Sequence, residues 1–144
     1  MKFMLIIKSN PEIEAGAIPK PEDFEAMTKF NQEMVAAGVM LAGEGLLPSA
    51  KSAKVKFSGP RRTVIDGPFA ESKELIAGFW IIETKSLEEA IDWAKRVPNS
   101  EDGESEIEIR QVATEDDFGD AMTPEVRAAE EQMRKDIAAR TKKG

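Results

Sequence analysis

Phe3-Met4-Leu5-Ile6-Ile7, near the start of the chain, and Phe79-Trp80-Ile81-Ile82, beyond its middle, decide the fold. Every residue in both runs is apolar, so neither face of either strand can be left to water, and both belong at the centre of a sheet. Glu104, Glu106 and Glu108 behave differently, since they alternate with Ser105, Ile107 and Ile109. That pattern predicts a strand wetted on one face, with enough charge to keep it at an edge. Between the central strands, Phe24, Met27, Phe30, Met34 and Val35 recur at helical spacing from Pro21 to a stop at Gly38, with Glu22 and Asp23 in the first turn. After Ile82, Ser86-Leu87-Glu88-Glu89 forms a capping box, and Leu87, Ala90, Ile91, Ala94 and Val97 make the apolar stripe of a second helix ending before Pro98.

The order is β-α-β-β-α-β, the ferredoxin-like arrangement of an α+β protein, with the first and third strands central. Two helices cover only one face of such a sheet. The other face stays apolar along the central strands, and a second copy across a two-fold axis is the expected cover, so a homodimer is expected. Two additions complete the chain. Ala53–Phe57 and Arg62–Asp66 flank Ser58-Gly59-Pro60-Arg61, which has the turn residues of a hairpin inserted between strands two and three. From Thr123, an N-cap, and Pro124, at the first helical position, a last helix runs to about Lys142 with a thin stripe of Val126, Ala129, Met133 and Ile137. Its other positions pair Glu130 with Arg134, Glu131 with Lys135 and Asp136 with Arg140 at i,i+4. The division expected is a domain over 1–113 and a helical extension over 114–144.

Composition narrows the chemistry. With 144 residues the chain fits one domain with a sizeable core, and with no cysteine it has neither disulfides nor thiolate chemistry nor Cys-ligated zinc. The apolar run at the N-terminus is far shorter than the ~20 residues of a membrane span, so the expected compartment is the cytoplasm, with no membrane partner. The net charge of −7 is concentrated: Asn99–Asp120 holds nine acidic residues against Arg110 alone, which leaves the remainder at +1. Direct nucleic-acid binding is not expected from such a balance. Histidine and tyrosine are absent as well, so an acid or base must be a carboxylate, a lysine or a water they position. Glu115-Asp116-Asp117 with Asp120 lacks the spacing of a calcium loop, and no metal or cofactor is expected.

Asp66-Gly67-Pro68-Phe69-Ala70-Glu71-Ser72-Lys73-Glu74, followed by Gly78-Phe79-Trp80-Ile81-Ile82-Glu83, resembles the signature of the DGPF branch of the YCII-related family. Agreement extends to Met1–Leu5, Ala37-Gly38-Val39, Gly43-Glu44, Ser86–Ala90 and Glu108-Ile109-Arg110. The resemblance implies a dimeric α+β barrel. It also implies a cleft in which a helix-one histidine and a nearby aspartate form a catalytic pair; here the histidine position falls near Met27, and Asp66 stands without that partner.

The residues around this signature support two roles for Asp66. Its carboxylate can fold onto the N–H groups of its own turn, as in an Asx-turn. It can also act as a base in a pocket between sheet and insertion, where Glu44, Phe69, Glu71 and Lys73 contribute to ligand binding and Lys73 fixes an anionic group. Gly43-Glu44-Gly45 has no following helix and is not a dinucleotide fingerprint. Two functions follow. One is a small-molecule-binding or enzyme-like cleft in each subunit, centred on the Asp66 loop. The other is a non-catalytic regulatory protein linked to extracytoplasmic-function sigma factors, beside which DGPF relatives are often encoded.

Overall fold

The structure is a computed structural model that describes residues 1–70, 74–99 and 103–143. It divides into two compact units, 1–112 and 113–144.

The first unit runs β1 (Lys2–Lys8), α1 (Pro11–Glu14), α2 (Pro21–Ala36), β2 (Met40–Gly45), β3 (Ala53–Ser58), β4 (Arg61–Asp66), β5 (Ile76–Glu83), α3 (Leu87–Lys95) and β6 (Ile107–Gln111). Four strands form an antiparallel sheet in the order β2-β5-β1-β6, which is the ferredoxin-like topology with β1 and β5 central. The hairpin β3–β4 is a separate two-stranded sheet, with Val55 opposite Val64 and Ala53 opposite Asp66.

The two faces of the central strands have different fates. Phe3, Leu5, Trp80 and Ile82 are buried with Phe30 and Met34 of α2 and Ala90 of α3, and they form the core. Phe30 meets Trp80 edge-on, with centroids 5.7 Å apart, and the Trp80 indole N–H donates to Asn31 Oδ1 at 2.9 Å. Each fully buried side chain such as Leu5 or Ile82 contributes on the order of 1.5–3 kcal/mol. The alternate residues Met4, Ile6, Phe79 and Ile81 are only half-buried and face the other way. In α2 the inward stripe is Met27, Phe30 and Met34, while Phe24 and Val35 lie on one flank of it and stay exposed.

One boundary differs from expectation. The edge strand is Ile107–Gln111 rather than Glu104–Ile109. β6 pairs with Phe3–Ile7, and one further bond joins Lys8 N–H to the Glu106 carbonyl. Beyond that point Ser9 N–H turns to the Leu75 carbonyl, so Glu104 and Ser105 have no strand to pair with.

In the second unit, α4 (Pro124–Lys143) follows a 3-10 segment, Glu115–Ala121. Thr123 Oγ1 accepts from Val126 N–H at 3.3 Å, as a cap should. Glu131 and Lys135 pair at 3.6 Å, but Arg134 turns from Glu130 to Glu115, which also lies 3.7 Å from Arg127. The Asp117 carboxylate accepts from Thr114 N–H at 2.6 Å and from Thr114 Oγ1 at 3.0 Å. These bonds, the backbone one foremost, hold its pKa below the ordinary aspartate value.

Candidate functional site

Three segments distant in sequence are latched together beside the Asp66-Gly67-Pro68-Phe69 loop. The centre is Ser49, a buried polar residue in the 3-10 turn Ser49–Lys51. Its Oγ accepts from Phe69 N–H at 3.0 Å and donates to the Glu14 carboxylate, and its own N–H reaches Glu14 Oε1 at 3.2 Å. Glu14 is placed by α1, where Asn10 Oδ1 accepts from Ile13 N–H at 2.8 Å and Pro11 fills the first helical position. Gly67 then allows the loop to approach. A Cβ there would lie 1.7 Å from the Ser49 carbonyl oxygen, so the backbones pass in contact, and Gly67 N–H donates to the Ser52 carbonyl at 2.8 Å.

Beside this latch is a cavity of about 380 Å³. Leu46, Leu47, Phe69, Leu75 and Ile76 supply apolar walls, and Glu14 and Ser49 supply polar groups. The Lys54 ammonium sits 4.1 Å above the centre of the Phe69 ring. A carboxylate with its position fixed by Ser49 acts here as a hydrogen-bond acceptor for an N–H or O–H group.

The residues singled out in the sequence are distributed unevenly. Phe69 lines the cavity. Asp66 ends β4 opposite Ala53 and is exposed. An Asx-turn is not what holds its loop: the residue two positions on is Pro68, which has no N–H, while the Gly67 and Phe69 N–H groups donate to Ser52 and Ser49. Glu44 pairs with Phe79 on the half-buried face of the sheet and is not among the cavity walls. Glu71 and Lys73 lie outside the described residues. Glu14 and Ser49 were missed. Asn10-Pro11 signals the start of a short helix, but nothing local in the sequence marks Ser49 as buried.

Met27 packs against the core and lines a different cavity, with Ile7, Asn10 and Val97. Among the described residues no group of three or more Asp and Glu is arranged to hold a metal ion, and no helix is long and apolar enough to cross a membrane.

The YCII-related domain matches residues 1–114. The chain belongs to the YCII-related family. An uncharacterised protein of Rhizobium meliloti (strain 1021) is 34% identical over 107 residues, covering 72% of this chain and 86% of that protein. Among solved structures, 5-chloro-2-hydroxyhydroquinone dehydrochlorinase from Burkholderia phenoliruptrix AC1100, in complex with 2,5-dihydroxybenzoquinone, aligns with a TM-score of 0.48 at 14% identity. That alignment covers 81% of this chain and 98% of the other. In this YCII-related chain the polar centre beside the Asp66 loop is thus the pair Glu14 and Ser49.

Proposed function

We propose that this YCII-related protein binds a small molecule in the cavity beside the Asp66-Gly67-Pro68-Phe69 loop, one per subunit of a homodimer. The ligand class is a compact, largely apolar molecule carrying a hydroxyl or amino group. The observation that carries this is the Glu14 carboxylate, fixed by Ser49 at a cavity whose other walls are leucine, isoleucine and phenylalanine together with Gly45 and Ser52. Few polar groups placed among apolar walls, in a volume of some hundreds of Å³, is the usual make-up of a small-molecule site. Asp66 is exposed on the same loop but is not among the cavity walls.

The dimer rests on the sheet. Met4, Ile6, Phe79 and Ile81 form a half-buried apolar face along the two central strands, flanked by Glu44 on β2 and by Glu108 and Arg110 on β6. A second copy laid face to face covers it.

Phenol and benzylamine titrated into the ¹⁵N-labelled protein test the cavity. Saturable shifts at the Leu46, Leu47 and Phe69 amides are expected, with Glu14→Gln weakening binding on the order of tenfold. Absence of saturable shifts there, or unchanged affinity in Glu14→Gln, would overturn the proposal.

A further inference from the structure

The last helix, α4, carries an apolar stripe open to water: Val126, Met133 and Ile137 are all exposed. At about 100° of turn per residue the three fall within ~40° of one another, so they form a single line along the helix. Charged flanks border that line. By the same turn, Glu125 and Arg140 lie to one side of it and Glu130 and Arg134 to the other, so each flank is acidic towards its N-terminal end and basic towards its C-terminal end. Two of the three i,i+4 pairs that the sequence offers here are not made. Arg134 reaches Glu115 instead of Glu130, and Asp136 accepts from Gln132 Nε2 at 3.0 Å instead of from Arg140. Arg127 is also occupied, donating to the carbonyls of Met122 and Gly119 at 3.0 Å each, and Glu131 pairs with Lys135 on the far side of the helix. Glu125, Glu130 and Arg140 are left with no ion-pair partner among the described residues.

This charge pattern is self-complementary in one arrangement. An antiparallel pair of helices across a two-fold axis sets each flank against the same flank of its partner. Glu125 then meets the partner's Arg140, Glu130 meets the partner's Arg134, Val126 lies near the partner's Ile137, and Met133 lies near the partner's Met133. All four pairings are centred at Gln132 or beside it, so one register satisfies the stripe and both flanks. A parallel pair would set Glu125 against the partner's Glu130. We infer that α4 pairs antiparallel with α4 of a second copy of this chain in that register. Glu115 keeps Arg127, 3.7 Å away, when Arg134 turns to the partner. Three apolar side chains from each helix are too few to hold two free chains together, so the pair forms within the homodimer proposed above and rests on that reading.

The test uses the full chain, which has no cysteine, so Met133→Cys introduces a single thiol at the centre of the pair. Mild oxidation should link two copies through it, whereas Lys135→Cys, on the far side of the helix, should link on the order of tenfold more slowly. Charge reversal supplies the second arm. Glu125→Lys with Glu130→Lys in one Met133→Cys chain, and Arg134→Glu with Arg140→Glu in another, place like charges in both flank pairings. Each alone should link on the order of tenfold more slowly than Met133→Cys, and a mixture of the two, allowed to exchange subunits, should recover the rate because every flank pairing is again opposite in charge. Sedimentation equilibrium of the reduced protein separates the outcomes. A dimer in which Met133→Cys stays unlinked overturns the pairing and leaves the dimer standing, as it does if the stripe is covered within its own chain. Linking at equal rates through Lys135→Cys and Met133→Cys, which indicates random collision, also overturns it, and so do charge-reversed chains that fail to rescue one another. A monomeric protein removes the pairing and the dimer together.

Discussion

Replacing Gly67 by alanine places a methyl group 1.7 Å from the Ser49 carbonyl oxygen and 2.7 Å from its carbonyl carbon. Ordinary contact between such atoms begins near ~3.5 Å, so loop and turn must separate by more than about 1.5 Å. Neither side can yield by moving a side chain, since both contact groups are backbone. The Gly67–Ser52 bond of 2.8 Å and the Phe69–Ser49 bond of 3.0 Å do not survive a displacement of that size. Losing two partly buried bonds and opening the packing costs about 2–4 kcal/mol. Urea denaturation should report that loss as a lower midpoint at unchanged slope, and amide exchange at Phe69 should accelerate. Gly45→Ala is the control: its Cβ meets nothing within 4 Å, and its stability should stay within about 0.5 kcal/mol of the parent. A Gly67→Ala protein as stable as the parent, with Phe69 still protected, would refute the latch.

Phe79→Asp puts a charge on the open face of β5, and sedimentation equilibrium should show the parent near twice the chain mass of 15.9 kDa and the variant near that mass; a parent that stays monomeric at micromolar concentration would contradict the proposed dimer. Ending the chain at residue 113 should leave a cooperatively unfolding first unit, and a broad, non-cooperative melt would show that its core needs the tail. Because the folded pKa of Asp117 is depressed, its cap on Thr114 contributes above the ordinary value of 3.8 and is lost as pH falls through the lower folded value. Its carboxyl resonance should therefore titrate below 3.8 in the parent, and a midpoint at or above that value would remove the cap from the account. Asp66→Asn should change stability by less than about 1 kcal/mol, since the Gly67 and Phe69 N–H groups are held by Ser52 and Ser49; a larger loss on thermal melting would restore a capping role.

The architecture was legible because burial on both sides of β1 and β5 is written in uninterrupted apolar runs, and because Ser86 and Pro21 mark helix starts by local chemistry. The hairpin was legible for the same reason, in the turn residues Ser58-Gly59-Pro60. β6 was misplaced by three residues at its start because alternation of Glu104 to Ile109 is a property of the segment alone, whereas pairing depends on where β1 ends. The site was legible only as a loop. Phe69 could be singled out from its motif, but Glu14 and Ser49 meet across 35 residues, and neither has a neighbour in sequence that implies the other. The role of Gly67 was hidden for the same reason, since the backbone it touches belongs to a different segment. Asp66 attracted attention as the ionisable residue of the motif, although Pro68 two positions later already removes the N–H that an Asx-turn requires.

The central claim is that a small molecule occupies the Glu14–Ser49–Phe69 cavity, and a crystal structure of the protein soaked with the tighter-binding of phenol and benzylamine tests it most directly. The account predicts density between Phe69 and the Leu46–Leu47 wall, with the hydroxyl or amino group about 2.7–3.0 Å from a Glu14 carboxylate oxygen. Density confined to other surfaces, or an empty cavity at saturating ligand, would contradict it.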